Sequence, residues 1–349
     1  MTNSSEPTSL FLRACRRLPT NRPPIWLMRQ AGRYMTEYRE IRAKHSMLTV
    51  IGTPELAAEV TLQPIHKFGF DAAIIFADIL PPLIGMGLGL DFVKGEGPQI
   101  DNPLCTNYAI DLLGTPPAEE TMLAQTLAAI KLVKQELEPK GVPLIGFAGA
   151  PFTLASYAIE GGSTRTYAKV KALMFSEPAT WKRLMGKLVT VQADYLLKQV
   201  KAGADALQIF DSWAGVLSQC DYLRYIQPYN QALFAQLKNA GVPVINFSTG
   251  TSALLPDVAA CGGDVIGVDG QMPLDWCWQQ IGAERAIQGN LDPVALFAPW
   301  RELKFRADDL LQRAGGRPGH IFNLGHGILP ETPVENVQRL VEYVKSKAG

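Results

Sequence analysis

Short apolar runs recur along this chain, each giving way to a small or polar residue and each separated from the next by a longer stretch with helical spacing. The first is IWLM at 25–28, preceded by Pro23 and Pro24, which exclude helix at that point. Comparable runs occupy 72–78 (AAIIFAD), 144–150 (LIGFAGA), 206–212 (ALQIFDS), 242–250 (VPVINFSTG), 265–270 (VIGVDG), 286–292 (AIQGNLD) and 320–327 (HIFNLGHG). Near-continuous apolar strands alternating with amphipathic segments specify a parallel sheet covered on both faces. Eight such units predict a single-domain α/β fold over 1–349, a (β/α)8 TIM-type barrel with residues 1–5 disordered. A doubly wound open sheet is the competing architecture, because strand order is not written in the pattern.

Helices are expected at 7–17, at 54–68 with Thr53 as N-cap and Pro54 in the first position, and at about 118–138, 178–202 and 221–239. The glycine-rich GMGLGLDF at 85–92 reads as an irregular loop. No G-x-G-x-x-G follows the first strand, and neither a Walker loop nor H-E-x-x-H occurs.

In a barrel the strand-end residues become neighbours at the C-terminal mouth. They are Arg29 and Gln30, Asp78, the Ala150-Pro151 turn, Asp211 and Ser212, Ser248 and Thr249, Asp269, Asn290 and Asp292, and His326. A ring this polar behind strands this apolar marks a pocket. For any one member the plainer reading is a loop residue capping the next helix, and that reading weighs most at Thr249 and Asp292. Of the histidines, His326 stands at the correct end, His320 begins its strand at the opposite end, and His45 and His66 fall on helical stretches. Tyr157 follows the third strand closely enough for its phenol to reach back over the pocket, the alternative being a packed helix tyrosine.

Charge sharpens this picture. Lys plus Arg number 33 and Asp plus Glu 33, so no overall field draws nucleic acid or an anionic membrane, and anion binding has to be local. The densest cationic display is Arg29 and Arg33, followed by Arg39, Arg42 and Lys44. Gly32 between them permits a sharp turn or a close backbone approach. Two planar guanidiniums on one loop suit a polyanionic ligand, with Glu37 and Glu40 expected to neutralise part of the set as surface pairs, Arg39 and Arg42 first. At 349 residues and 47% hydrophobic the chain can bury a large core. Its five cysteines (Cys15, Cys105, Cys220, Cys261, Cys277) lack any C-x-x-C and suggest reduced thiols in a cytosol-like compartment, with no cysteine zinc site. No apolar run reaches the ~20 residues of a membrane helix. No basic region precedes the first apolar patch, so a secretory signal is not expected, and Glu6 counts against a plastid address.

Five strings carry a resemblance: PIWLMRQAGRY (24–34), FADIL around Asp78, GFAGAPFTLASY (146–157), FDSWAG (210–215) and NLGHGI (323–328). In that order, and along essentially the whole chain, the sequence resembles the uroporphyrinogen decarboxylases. The resemblance implies a cytoplasmic carboxy-lyase that converts the four acetate side chains of uroporphyrinogen III to methyls, giving coproporphyrinogen III. It further implies no metal and no organic cofactor, and a homodimer with its two clefts facing. By motif position the implied substrate contacts are Arg29, Gln30, Ala31, Gly32, Arg33, Asp78, Tyr157, Ser212 and His326, with Asp78, Arg29 and Tyr157 as the catalytic set. Residue chemistry agrees on the substrate class: a macrocycle with eight carboxylates needs arginines around a pocket and one acceptor for its inward pyrrole N–H groups. Arginine, protonated up to a pKa above ~12, is a poor general acid, so the proton donor is not identified. Two other classes compete with this reading. A methyltransferase of the related barrel superfamily needs a zinc-binding H-x-C, whereas His326 is followed by Gly327 and Ile328. A non-catalytic tetrapyrrole carrier would use the same arginines but has no need of Asp78 beneath the ring.

Overall fold

Nine strands follow one another in the computed structural model, which describes Pro7, residues 9–93 and residues 97–347; the disorder expected at 1–5 lies outside these. They are β1 (Ala73–Ile74), β2 (Leu90–Val93), β3 (Gly97–Ile100), β4 (Leu144–Gly149), β5 (Ala206–Asp211), β6 (Val244–Ser248), β7 (Val265–Gly267), β8 (Ala286–Leu291) and β9 (His320–Leu324). β1 and β4 to β9 form one curled parallel sheet in chain order, each strand beside the next.

The eighth position of the barrel belongs to residues 25–28, which join β9 through a single bridge, Ile25 opposite Phe322. Phe322 N–H donates to the Pro24 carbonyl (2.9 Å) on one side, and Asp71 N–H donates to the Ile25 carbonyl (2.9 Å) on the other. Pro23 and Pro24 have no N–H, so a full ladder cannot form there. Side chains take its place. Met28 N–H donates to Asn323 Oδ1 (3.0 Å), while the Gln30 amide accepts from Leu27 N–H (3.3 Å) and donates to the Ala72 carbonyl (3.1 Å). Arg22 latches the seam with two 2.7 Å hydrogen bonds to Asp71, whose Oδ2 also accepts from Ile25 N–H.

The run at 72–78 is a two-residue strand, shorter than its apolar pattern suggests. Phe76 N–H is taken by Thr61 Oγ1 (2.8 Å), which turns the chain out of the ladder before Asp78. Inside the barrel, Trp26 Nε1 donates to Gln288 Oε1 (3.0 Å) and Gln288 Nε2 to Gln208 Oε1 (3.1 Å). β5 and β8 are not neighbours, so this chain of buried amides crosses the interior, each polar group satisfied by the next.

Helices Pro54–Phe68 and Pro178–Ala202 stand where expected, although Thr53 makes no side-chain cap bond. The helix expected at 221–239 runs without a gap over 219–237, widening into a π-turn, Tyr222–Ile226, before the α-helix Gln227–Leu237. Pro228 follows directly on the π-turn and has no N–H to return to the preceding turn, and the wider π pattern accommodates that missing bond. The loop expected at 85–92 is corrected at its end, because Leu90–Val93 pairs with Gly97–Ile100 as an antiparallel hairpin, Leu90 and Phe92 alternating with polar Asp91. His45 lies just beyond the helix Thr36–Lys44 rather than within it. Among the described residues no helix is long and apolar enough to cross a membrane, and all five cysteines are free.

Candidate active site at the barrel mouth

Closure at Ile25 delivers the loop 29–33 to the same rim as the residues after β9. Arg29 adopts a left-handed backbone (φ 60°), a conformation that non-glycine residues rarely hold without a surrounding structure that compels it. Arg29 and Arg33 are both exposed, and the side chain of neither forms an ion pair or hydrogen bond among the described residues. The other cations of the cluster are occupied. Arg39 donates to the Arg33 and Tyr34 carbonyls (both 2.9 Å) and to Thr36 Oγ1 (2.9 Å), and Arg42 donates to the His45 carbonyl. Glu37 pairs with Lys67 (2.6 Å), not with the arginines it was expected to neutralise. Arg39 therefore braces the loop that presents Arg33. Gly32 makes the expected close approach, since a Cβ there would lie 3.0 Å from the Arg29 carbonyl oxygen. Ala31 and Gly32 are half-buried on the loop, while Gln30 differs from expectation: its side chain is buried and spent on barrel closure.

Asp78 is half-buried at the end of the second barrel unit, its Oδ1 accepting from Leu80 N–H (2.9 Å). Desolvation pushes its carboxyl pKa up, opposed by the Leu80 and Ile79 N–H groups and by the positive charge of Arg29. Tyr157, on the helix Pro151–Glu160, faces the same charges: burial first and Asp78 second raise its phenol pKa, with Arg29 opposing. That phenol is a hydrogen-bond donor throughout the physiological range. His326 is exposed at the rim, and partial desolvation followed by Arg29 lowers its pKa. Arg29 thus couples electrostatically to Asp78, Tyr157 and His326, which come from three different strand ends.

Beside them opens a cavity of ≈480 Å³, lined by the loops after β5 to β9 and including Ser212, Thr249, Asp269, Asp292 and His326. Several of the strand-end polar residues serve the loops themselves. Asp269 accepts from Gly250 N–H (2.6 Å) and Gln271 N–H (3.1 Å), Asp292 caps the turn at Val294 (2.9 Å), Asn290 donates to the Asp269 and Met272 carbonyls, and Ser248 bonds Thr251 (2.6 Å). Asp211 is buried behind the wall, between Thr153 and Asn230. His320 is buried at the far end of β9, where desolvation lowers its pKa to about 4. Trp213 is the wall residue that the strand-end reading passed over. Its indole stacks on Tyr157 (centroids 3.9 Å apart) and meets Tyr167 edge-on at 5.0 Å, a broad apolar face beside the charged groups. Its position in FDSWAG, two residues past a strand end, was the available signal. Among the described residues no group of three or more His, Cys, Asp or Glu is placed to hold a metal ion.

The geometry defines a parallel α/β barrel with a polar pocket at the C-terminal ends of its strands and two unpaired arginine side chains on the adjoining loop. The family model described as "Uroporphyrinogen decarboxylase (URO-D)" matches residues 6–347, and the chain belongs to that family. It is 57% identical over 340 residues to a uroporphyrinogen decarboxylase of Chloroflexus aurantiacus, covering 96% of this chain and 95% of the relative. Against the uroporphyrinogen decarboxylase of Thermus thermophilus identity is 50% over 340 residues, covering 97% and 98%. Among solved structures, a methyltransferase from Methanosarcina mazei superposes with a TM-score of 0.82 at 20% identity, covering 96% of this chain and 97% of that one, a likeness of fold alone.

Proposed function

We propose that this chain decarboxylates the four acetate side chains of uroporphyrinogen III to methyls, giving coproporphyrinogen III and four CO2 in tetrapyrrole biosynthesis. One observation supports it above the others: the unpaired side chain of Arg29 lies within electrostatic reach of the half-buried Asp78, on a braced loop that also presents the unpaired side chain of Arg33. Arg29 and Arg33, with the Ala31-Gly32 backbone between them, grip the peripheral carboxylates. Asp78 accepts the inward pyrrole N–H groups, and Tyr157, Ser212 and His326 complete the contacts around the ring.

The chemistry then needs little from outside. Protonation of a pyrrole α-carbon makes a cation into which the electrons of the breaking C–C bond flow, and CO2 leaves. A second proton then converts the exocyclic methylene to methyl, and loss of the proton first added at the α-carbon restores the pyrrole, so each decarboxylation takes up one proton net. Asp78 holds a fixed negative charge beside the cation as it develops, an electrostatic effect of several kcal/mol when preorganised in a site that excludes water. Arg29 lies nearest the reacting acetate and Tyr157 donates a hydrogen bond to it. Gln30 acts from behind, as the bridge that fixes the loop to β1. Neither a metal nor an organic cofactor is required by this scheme. The whole of 1–349 works as one domain, in the cytoplasm, as a homodimer. Anaerobic incubation with uroporphyrinogen III is the test of the activity: four CO2 and coproporphyrinogen are expected, and porphyrinogen bound without CO2 release would overturn the proposal. Sedimentation of the purified protein tests the dimer.

A further inference from the structure

Ser212 and Trp213 share one peptide unit, and both of its polar groups are held by threonine hydroxyls. Thr249 Oγ1 donates to the Ser212 carbonyl (2.7 Å), and Trp213 N–H donates to Thr153 Oγ1 (3.4 Å). Thr153 in turn donates to Asp211 Oδ1 (2.9 Å), while Asn230 Nδ2 donates to Oδ2 (3.2 Å). A hydroxyl has a single proton; Asp211 claims it, which turns a lone pair of Thr153 toward the Trp213 N–H. Thr153 and Asp211 are buried at 0% and 2% exposure, so water does not compete for these bonds. The loop carrying Thr249 comes this close because residue 215 is glycine: a Cβ there would lie 2.5 Å from the Thr249 carbonyl oxygen and 2.6 Å from Gly250 Cα.

We infer that Thr153, Asp211 and Thr249 are positioning residues for the decarboxylation, clamping the 212–213 peptide and thereby the Ser212 hydroxyl and Trp213 indole that wall the pocket. The inference rests on the proposed function of that pocket. The residues act at one remove: Asp211 on Thr153, the two threonines on the peptide, and the peptide on the wall that meets the macrocycle and stacks on Tyr157.

Thr153→Val removes the hydroxyl at nearly constant volume and Thr153→Ser keeps it. With the valine variant, KM for uroporphyrinogen should rise about tenfold, the equivalent of one buried hydrogen bond, with a smaller change in kcat. Trp213 emission in the unliganded protein, taken as the difference between each variant and its Trp213→Phe counterpart, should shift, and the serine variant should restore both readings. Thr249→Val, at a half-buried loop position, should move them in the same direction and decides the matter if the Thr153 variant does not fold. Parent values of KM and of Trp213 emission in the valine variants, whatever their melting temperatures, would overturn the clamp. A parent protein that releases no CO2 would overturn the functional reading and with it the positioning role, even where the emission shifts.

Discussion

The side chain of Arg29 crosses the backbone of Gly327, so that a Cβ at Gly327 would fall 2.4 Å from Arg29 Cδ, 2.7 Å from Cγ and 3.0 Å from Nε. Arg29 follows the first barrel position and Gly327 follows the last, and the Ile25–Phe322 bridge sets those two chain segments side by side. Bare backbone at 327 is the slot in which the arginine stem lies, with its charge felt at Asp78, Tyr157 and His326.

Gly327→Ala should therefore act on the ligand and not on the fold. The methyl meets the flexible stem of an exposed side chain, so the melting temperature should change little, while Arg29 is pushed from its slot. Loss of a charge-assisted contact worth ~1.5–3 kcal/mol predicts a fall in kcat/KM of tenfold or more. Steady-state kinetics beside a thermal melt check this, and parent kinetics in the alanine variant would remove the slot from the account.

Arg33→Lys keeps the charge and loses the planar fork. If Arg33 grips a carboxylate through two parallel bonds, affinity should drop by about tenfold or more although net charge is unchanged. Arg39→Ala, which removes the brace from the Arg33 and Tyr34 carbonyls, should weaken binding in the same direction. Substrate affinity measured under anaerobic conditions decides both, and values equal to the parent would assign Arg33 to the solvated surface.

How much of this was legible beforehand depends on what each residue's partner is. Asp78, Ser212, Thr249 and His326 could be placed at one mouth because strand ends are marked by an abrupt change from apolar to polar, a local signal. Gln30 and Asp211 sit at equally clear strand ends, yet their side chains turn away from the pocket, because their partners, Ala72, Thr153 and Asn230, are 42, 58 and 19 positions away in sequence. Position in the pattern does not encode that direction. The same holds for Arg39, whose backbone acceptors carry no side-chain signature. Gly85, Gly87 and Gly89 hid the hairpin that begins at Leu90, and the fused prolines at 23–24 gave a strand signal for what is a single bridge completed by side chains.

Asp211 also predicts how stability follows pH. Burial raises its carboxyl pKa from 3.8 to about 6, opposed by the Thr153 and Asn230 hydrogen bonds. A folded pKa above the unfolded one means that the folded state binds the proton more tightly. The associated stability is complete below about pH 4 and is lost as pH rises through about 6, on the order of 3 kcal/mol in all. In urea titrations Asp211→Asn should flatten this segment of the stability profile and match or exceed the parent at neutral pH. A slope unchanged in the variant would place its source at another group.

Activity should survive exhaustive chelation and dialysis, because the macrocycle itself serves as the electron sink. Recovery of lost activity by zinc or magnesium would contradict that chemistry.

The central claim is that the charge of Asp78 stabilises the developing pyrrole cation, and single-turnover CO2 release from enzyme-bound uroporphyrinogen III by the parent, Asp78→Asn and Asp78→Glu tests it most directly. Asparagine can still cap Leu80 N–H, so a merely structural aspartate predicts little change. The account predicts weakened binding and a larger loss in the chemical step, a hundredfold or more for a charge contribution of about 3 kcal/mol, because the charge is needed most in the transition state. Glutamate, which keeps the charge but advances it by ~1.5 Å, should bind poorly yet retain more activity than asparagine. An asparagine variant that releases CO2 as fast as the parent would contradict the claim and leave Asp78 as a cap at the barrel mouth.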